Sequence, residues 1–391
     1  MKDLFYLNKD ITFLNHGSFG ACPKPIFEEY QKWQLELEKE PVQFITVEAP
    51  KQLKRSREAL ANFLSCHADD LVYVQNPSTA FNIIIKNLKL NAGDEILTTN
   101  HEYGAMDRTW NYYCRKAGAK YVQQKISIPL LSKEQFIEEF WKGLTPKTKI
   151  VFISQITSPT ALIFPVKEIC ERAKELGLMT IVDGAHVPHH VDLNLSELKA
   201  DIYTGACHKW MLTPKGCSFL YVKREFQNLF DPLIISWGYE AEFPSHSQFL
   251  DYHEYQGTRD SSAFITVPKA LEFLAEHNWT EVKKNCRKLI QESYIEMCDF
   301  LNTKPICTVS DEFLGQMCSI PIKTPDVIKL KGVLYNDYKI QIPVMNTLLD
   351  FEGNSNQQFI RISAQVYTRK YDIQILKNAL GDIRKKSNLI S

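Results

Sequence analysis

The sequence predicts an α/β protein with a largely parallel central β-sheet and a second, smaller domain at its C-terminal end. Between about residues 70 and 223, short β-prone runs alternate with helical stretches. Such alternation is typical of crossover units that place helices on both faces of a parallel sheet. Beyond about residue 268, one long helical stretch is followed by strand-like runs, which indicates a separate unit. The chain has 391 residues, enough for two domains of ordinary size.

The predicted elements follow in chain order. After an irregular opening, helical patterns with proline in the first turn run from about 25 to 39 and from about 50 to 64. The predicted strands of the central sheet are 71–74, 95–98, 149–153, 179–182, 201–203 and 218–222. The C-terminal part is predicted to hold a helical stretch at about 268–303, strands at 313–322, 339–344 and 359–364, and a closing amphipathic helix at 373–386.

These elements divide the chain into three parts. We predict an N-terminal segment that borders the functional site (1–25), a large domain (26–270) and a small C-terminal domain (271–391). In parallel sheets of this type, ligands bind at the carboxyl ends of the strands. The functional residues are therefore expected at that edge of the large sheet.

The composition excludes several classes of partner. Lysine plus arginine equals aspartate plus glutamate, at 46 residues each, so no overall charge would attract nucleic acid or an anionic membrane. We expect small molecules and copies of the chain as partners. No stretch approaches the roughly 20 apolar residues that span a bilayer, and residues 1–8 lack the apolar core of a secretory signal, so we expect a cytoplasmic location.

The ten cysteines are scattered along the chain without a CxxC pair and without a metal-like spacing to histidine. This spacing argues against a disulfide framework and against a structural zinc site. We therefore expect no bound metal and mostly reduced, buried cysteine side chains.

The strongest local signal is the run TGACHKW at residues 204–210, which follows a predicted strand. Lys209, just beyond the strand end, is placed to form a Schiff base with the aldehyde of pyridoxal 5′-phosphate (PLP). The imidazole of His208 and nearby backbone amides would then meet the phosphate. Lysine is common and mostly solvated, so this pair of residues alone is a weak signal.

A second signal lies upstream, where Asp183 ends the apolar strand predicted at 179–182. PLP acts as an electron sink only while its pyridine nitrogen is protonated, and a carboxylate beside that nitrogen keeps the proton there. Two other interpretations exist. Asp183 could cap the next helix, or it could bind a metal with His186. The metal interpretation is weaker because the spacing suggests no third or fourth ligand.

Several ordered blocks, spread over nearly the whole chain, carry a family resemblance. The blocks are FLNHGSFG at 13–20, NPSTAFN at 76–82, HEYGA at 101–105, TSPTA at 157–161, the Asp183 and Lys209 runs, GTRD at 257–260 and RISAQVY at 361–367. Together they resemble the class V aminotransferase superfamily of fold-type I PLP enzymes, and most closely its isopenicillin N epimerase-like subgroup, which is related to cysteine desulfurases and C–S lyases. The resemblance implies a large PLP-binding domain with a mostly parallel seven-stranded sheet and a smaller α+β C-terminal domain.

The resemblance implies a set of cofactor contacts. Within one subunit these are Ser78, Thr79, Tyr103, Ser158, Asp183, His186, His208 and the catalytic Lys209. Ser78 and Thr79 would meet the phosphate at a helix N-terminus, or else form an ordinary cap. Tyr103 would stack on the pyridine ring, or else be a core aromatic. His186 and Ser158 would contact the ring or its phenolic oxygen.

The resemblance also implies a homodimer and a substrate site. Thr258 would reach the phosphate from the other subunit, which places the active sites at the subunit interface. Arg361 would bind the α-carboxylate of an amino-acid substrate in the bidentate geometry that a guanidinium favours; the alternative is a surface ion pair. Asn15 and His16 would border the substrate pocket, or belong to a simple turn.

The expected chemistry begins with removal of the α-proton by Lys209. Reprotonation on the opposite face gives epimerisation, loss of a β-substituent gives elimination, and reprotonation at the cofactor begins transamination. We favour an epimerase, with a C–S lyase acting on cysteine derivatives such as a cysteine sulfoxide as the alternative. A non-catalytic PLP-binding protein is less favoured because Lys209, Asp183 and Arg361 are all present.

Cysteine desulfurases of the same superfamily use a nucleophilic cysteine on a loop shortly before the carboxylate-binding arginine. Residues 342–360 contain no cysteine. A desulfurase that forms a persulfide is therefore not expected.

Overall fold

The computed structural model describes residues 1–347 and 357–390. Its strands are β1 (Thr12–Phe13), β2 (Leu71–Val74), β3 (Glu95–Thr99), β4 (Lys120–Gln124), β5 (Thr148–Ser154), β6 (Met179–Asp183), β7 (Ile202–Ala206), β8 (Ser218–Val222), β9 (Met317–Pro321), β10 (Ile340–Gln341), β11 (Val344–Thr347) and β12 (Gln357–Ser363).

Helices surround these strands. In chain order they are α1 (His16–Phe19), α2 (Lys24–Lys39), α3 (Pro41–Gln43), α4 (Ala49–Leu64), α5 (Pro77–Asn87), α6 (Gly104–Ala117), α7 (Lys133–Trp141), α8 (Val166–Glu175), α9 (Leu195–Leu198), α10 (Gln248–Glu254), α11 (Ser262–Ile265), α12 (Val267–Glu276), α13 (Trp279–Phe300), α14 (Val327–Asn336) and α15 (Lys370–Lys386).

The central sheet has seven strands in the order β2-β8-β7-β6-β5-β3-β4. All neighbouring pairs from β7 to β4 are parallel, and β8 runs antiparallel to β7 and β2. The prediction of a mostly parallel seven-stranded sheet is confirmed. Edge strand β4 was absent from the predicted strands, because its sequence KYVQQ is largely polar, as an edge strand permits.

The sheet is buried on both faces, as parallel sheets are. Successive residues of one strand point to opposite faces, and they fall into two separate cores. Val151 and Ile153 of β5 belong to the larger core, whereas Ile150 and Phe152 belong to the smaller one. This burial explains why the central strands are nearly continuous apolar runs.

A second sheet in the C-terminal part has the order β11-β12-β9, with antiparallel pairing throughout. Together with α13 to α15 it forms the smaller α+β part that the sequence predicts. The exact domain boundaries stay a prediction. Two predicted elements are divided: Asn278, with a positive φ of 46°, separates α12 from α13, and Pro343 follows β10 before β11 begins.

The N-terminal segment is attached to this C-terminal part. Strand β1 pairs in parallel with β10 through Thr12 and Ile340, and Asn15 forms a bridge with Ser363. Residues at the two ends of the sequence therefore lie side by side. Within the described residues, no helix is both long enough and apolar enough to cross a lipid bilayer.

Candidate active site

A cavity of about 210 Å³ lies at the carboxyl ends of the central strands. Lys209 follows β7, Asp183 ends β6 and Ser154 ends β5. The cavity is lined by eight of the residues that the sequence analysis singled out: Ser78, Tyr103, Ser158, Asp183, His186, His208, Lys209 and Arg361. Side chains from distant parts of the chain thus converge where a parallel sheet binds its ligands.

Lys209 points its amine at a histidine. Its Nζ lies 3.1 Å from Nε2 of His186. Burial lowers the pKa of Lys209 to about 7, the Asp183 carboxylate opposes this shift, and the Arg361 guanidinium adds to it. A substantial fraction of the amine is therefore uncharged near neutral pH, the form that attacks an aldehyde or accepts a proton.

Asp183 is held at the end of β6 by the backbone. Its Oδ1 accepts the N–H of Ala185 at 2.8 Å, and burial raises the pKa of its carboxyl, an effect that this hydrogen bond and Lys209 oppose. Gly184 follows because any Cβ there would overlap the Tyr203 side chain. A buried carboxylate in this cavity matches the protonated pyridine nitrogen of PLP. The hydrogen bond from the Ala185 N–H is also of the kind that a capping carboxylate accepts, and the described residues contain no group of three or more possible metal ligands.

The phosphate contacts that the resemblance implies lie on two elements. Ser78 lines the cavity at the start of α5. Thr79 does not line it: its N–H and hydroxyl both donate to the Asn76 Oδ1 at 2.9 and 3.2 Å, which caps the helix. His208 lies 2.9 Å from the Cys217 carbonyl oxygen through Nδ1, so Nδ1 carries a proton and Nε2 remains available.

Arg361 is a buried cation with uncharged partners. Its side chain lies on β12, and the residue is 3% exposed. Nη1 donates to the Ser158 carbonyl and hydroxyl oxygens at 2.5 and 3.2 Å, and Nη2 donates to Ser18 Oγ at 3.0 Å. Nε has no hydrogen-bond partner, and none of the ion pairs of the described residues involves Arg361. A surface ion pair is therefore excluded, and the site fits an incoming carboxylate.

The N-terminal block contributes differently from the prediction. Asn15 and His16 do not line the cavity, whereas the next three residues, 17–19, do. His16 is fully buried behind the lysine, with Nδ1 2.7 Å from the Tyr367 hydroxyl and Nε2 3.1 Å from the Lys209 carbonyl oxygen. Asn15 accepts the hydroxyl of Ser18 at 2.5 Å. Both residues support the site from outside it.

Thr258 lies apart from Lys209 within one chain. It lines a separate cavity of about 510 Å³, together with Gly257, Arg259 and Trp237. Its contact with a phosphate across a subunit interface stays a prediction.

Three polar residues at the cavity were not singled out from the sequence. Ser18 and Asn76 lie beside the predicted residues, and Ser154 ends β5. The buried Glu102 carboxyl accepts the Ser154 N–H at 3.1 Å and the Ser154 and Thr99 hydroxyls at 2.5 and 2.7 Å. Burial raises the pKa of Glu102 to about 8. Position at a strand end was the one signal that could have indicated Ser154.

Cysteine chemistry has little support in this cavity. Cys207 is fully buried, and burial holds the pKa of its thiol well above the usual range. Residues 348–356, the middle of the segment that corresponds to the desulfurase loop, lie outside the described residues. That segment has no cysteine in its sequence.

Comparison with known proteins places this geometry in context. The model of the family "Aminotransferase class-V" matches residues 23–376. The chain is 28% identical to isopenicillin N epimerase from Amycolatopsis lactamdurans, covering 97% of this chain and 96% of that protein. It is 30% identical to isopenicillin N epimerase from Streptomyces clavuligerus, covering 96% and 95%.

A further relative is the probable chloroplastic L-cysteine desulfhydrase of Arabidopsis thaliana, with 26% identity over 96% of this chain and 83% of that protein. Among solved structures, a mutant of the cystine C–S lyase C-DES, with glycine covalently linked to its PLP cofactor, superposes with a TM-score of 0.80. That match has 19% identity and covers 98% of this chain and 99% of that one. It shows a shared fold.

Proposed function

Because the chain belongs to the class V aminotransferase family and is a PLP-dependent enzyme, we propose that it epimerises the α-carbon of an amino acid by removing the α-proton and adding a proton from solvent to the opposite face. The single observation that carries this proposal is the convergence of the buried side chains of Lys209 and Arg361 in one cavity. One offers an amine with a pKa of about 7. The other offers a guanidinium with no carboxylate partner among the described residues. The epimerases that are 28% and 30% identical support this choice of reaction.

The cavity residues divide into those that hold the cofactor and those that hold the substrate. Lys209 would hold the aldehyde carbon of PLP and Asp183 its pyridine nitrogen, while Ser78 and His208 would bind the phosphate. Tyr103, which is 48% exposed at the cavity, would cover one face of the ring, and His186 would contact the ring or its phenolic oxygen. Bound PLP withdraws electrons from the α-carbon and thereby makes the α-proton acidic.

Lys209 then acts as the proton acceptor. An uncharged amine can take the α-proton, and the nearby Asp183 carboxylate stabilises the ammonium that results. Arg361 fixes the α-carboxylate, so that the α-hydrogen faces Lys209. Ser158 and Ser18 orient the guanidinium for this task. Ser158 would therefore position the Arg361 guanidinium as well as contact the cofactor.

A homodimer is part of the proposal. Thr258 and Trp237 line one cavity, Lys209 lines another, and Trp237 is 84% exposed. An indole of that exposure favours burial against a second copy. Thr258 would then reach the phosphate bound by the other chain, which would complete each site across the interface. We also propose a cytoplasmic location.

The second candidate is β-elimination from a cysteine derivative, by a C–S lyase. The L-cysteine desulfhydrase that is 26% identical favours this reaction. Elimination uses the same proton acceptor and carboxylate site, but it needs no proton donor on the opposite face of the substrate.

Proton NMR in deuterated water tests both reactions. The PLP-loaded protein is incubated with L-cysteine, S-substituted cysteines and longer aminodicarboxylate derivatives. We expect exchange of the α-proton for deuterium in these spectra, and formation of the D-isomer on chiral chromatography of the same samples. Formation of pyruvate and ammonia would show that the protein catalyses elimination instead of epimerisation. Retention of the α-proton in every compound would contradict proton removal itself. The Lys209→Ala variant is the control, and it should show neither exchange nor product.

A further inference from the structure

Trp210 fills the space directly behind the lysine. It is fully buried, its ring stacks on His190 with centroids 4.0 Å apart, and it contacts His16 with centroids 4.8 Å apart. His190 is itself fixed: its Nε2 accepts the Gln316 N–H at 2.5 Å, and its Nδ1 donates to the His186 carbonyl oxygen at 2.9 Å. Packing between two imidazoles holds the indole in a single orientation.

That orientation directs the indole N–H to His186. Trp210 Nε1 donates to His186 Nδ1 at 3.5 Å. An indole nitrogen is only ever a donor, so His186 Nδ1 must be unprotonated. A neutral imidazole carries one proton, which therefore lies on Nε2.

The surroundings keep His186 neutral. Burial holds the pKa of His186 well below its usual range, and the positive charges of Lys209 and Arg361 lower it further. The neighbouring imidazoles His190 and His208 act in the same direction. Asp183, a carboxylate that lines the same cavity, does not oppose this effect among the causes of the His186 shift, and it favours the charged form of Lys209.

The proton on His186 Nε2 faces the lysine nitrogen at 3.1 Å. An N–H can donate to an uncharged amine, which has a lone pair, but not to an ammonium, which has none. We propose that Trp210 is a positioning residue: by holding the His186 proton on Nε2, it favours the uncharged form of the Lys209 nitrogen. This inference rests on the proposed function for its role, because an uncharged nitrogen is what captures PLP and accepts the α-proton.

The direct test is the position of the proton in the PLP-loaded protein. A long-range ¹H–¹⁵N NMR spectrum of histidine-labelled protein distinguishes Nε2–H from Nδ1–H imidazoles, and the His186 signal is the one that disappears in the His186→Asn variant. We expect a neutral Nε2–H ring. A neutral Nδ1–H ring or a charged imidazolium would overturn the inference. This test uses Trp210 unchanged, so it remains valid even if a Trp210 variant fails to fold.

The Trp210→Phe variant keeps most of the ring and removes the donor. The visible absorbance of bound PLP, titrated with pH, follows the proton on the Lys209 nitrogen. We expect the midpoint of this titration to rise by about 0.5–1 pH unit, which corresponds to the free energy of one neutral hydrogen bond. Without the indole donor, the His186 proton can move to Nδ1, and Nε2 can then accept a hydrogen bond from a charged Lys209 nitrogen. The charged form is thereby favoured, which raises the midpoint of the titration.

Trp110→Phe is the matched control. Trp110 is also fully buried, and its indole nitrogen has no hydrogen-bond partner, so its removal should leave the titration unchanged. An unchanged tautomer and titration in Trp210→Phe would overturn the assignment. These readouts need no amino-acid substrate, so they separate a failure of this inference from a failure of the proposed reaction.

Discussion

Arg361 is a guanidinium that the fold buries without supplying an opposite charge from the described residues. Burial of an unpaired cation is costly, and burial lowers the pKa of Arg361 to about 10. Three oxygens from Ser158 and Ser18 offset part of this cost. A carboxylate that enters the cavity would supply the missing charge, so substrate binding should relieve a strain that the free protein carries.

Replacing Arg361 with lysine tests this account. An ammonium keeps the charge but loses the planar fork, so the carboxylate loses one charge-assisted hydrogen bond. We expect KM to rise about 10- to 100-fold with a smaller change in kcat. Steady-state kinetics with the substrate identified by NMR measures both constants. Arg115→Lys, at an exposed position near the end of α6, should behave as wild type; an equal effect of both substitutions would remove the carboxylate assignment.

The chemical groups of this site are more predictable from the sequence than the residues that support them. Lys209 and Asp183 follow strands, and strand ends in a parallel sheet meet at one edge, so their proximity was predictable. The contact between Arg361 and Ser18 joins residues 343 positions apart. No local pattern in the sequence predicts such a contact. The same holds for His16, which the sequence indicated for the pocket but which supports the Lys209 backbone.

At the scale of the elements, the turn between α1 and α2 is built against the lysine segment. Gly20 has a φ of +70°, and a Cβ there would clash with the carbonyl oxygen of His208 and lie 2.8 Å from that of Lys209. Both opposing atoms belong to the backbone, which cannot rotate away as a side chain can. The N-terminal turn therefore fixes the position of the segment that carries Lys209.

Gly20→Ala should disturb both stability and cofactor binding. We expect a loss of about 1–3 kcal/mol in the free energy of unfolding, from overpacking and from the positive φ. The bound PLP, measured by its visible absorbance, should fall with it. Gly332→Ala is the control: Gly332 lies on α14 with no atom within 4 Å of an added Cβ, and it should gain about 0.5–1 kcal/mol. Unchanged unfolding of Gly20→Ala would show that the turn has room to adjust.

Element types were more predictable than element ends. The six strands predicted for the central sheet are all present, because strands buried on both faces need unbroken apolar runs. Strand β4 lacks such a run because its outer edge faces away from the sheet. The long helix predicted at 268–303 is two helices, since the break at Asn278 needs a left-handed residue that periodicity does not reveal.

At the scale of the whole molecule, the proposed dimer predicts the activity of hybrid dimers that contain one chain of each of two variants. If Thr258 of one chain serves the Lys209 of another, a Lys209→Ala chain and a Thr258→Glu chain each lack a working site of their own. Unfolding and refolding them together should form about half hybrid dimers, each with one intact site, which gives about a quarter of the wild-type activity. The activity of the mixture is measured by NMR as the rate of product formation.

Two outcomes would contradict this arrangement. A mixture no more active than its separate components would place Thr258 and Lys209 of one chain in the same site or leave Thr258 without a role. Full activity of Thr258→Glu alone would exclude a phosphate contact, because a carboxylate there would repel the phosphate. Wild-type protein taken through the same unfolding and refolding gives the reference activity for the refolding step.

The pairing of β1 with β10 also has a consequence for synthesis on the ribosome. Residues 12–18 are translated well before their partners near residues 340 and 361. Residues 76–209, which include most of the residues that line the cavity, are translated long before Arg361. A nascent chain therefore holds the Lys209 side of the cavity before Arg361 has been made, and residues 12–18 meet these partners only after residue 361 has been translated.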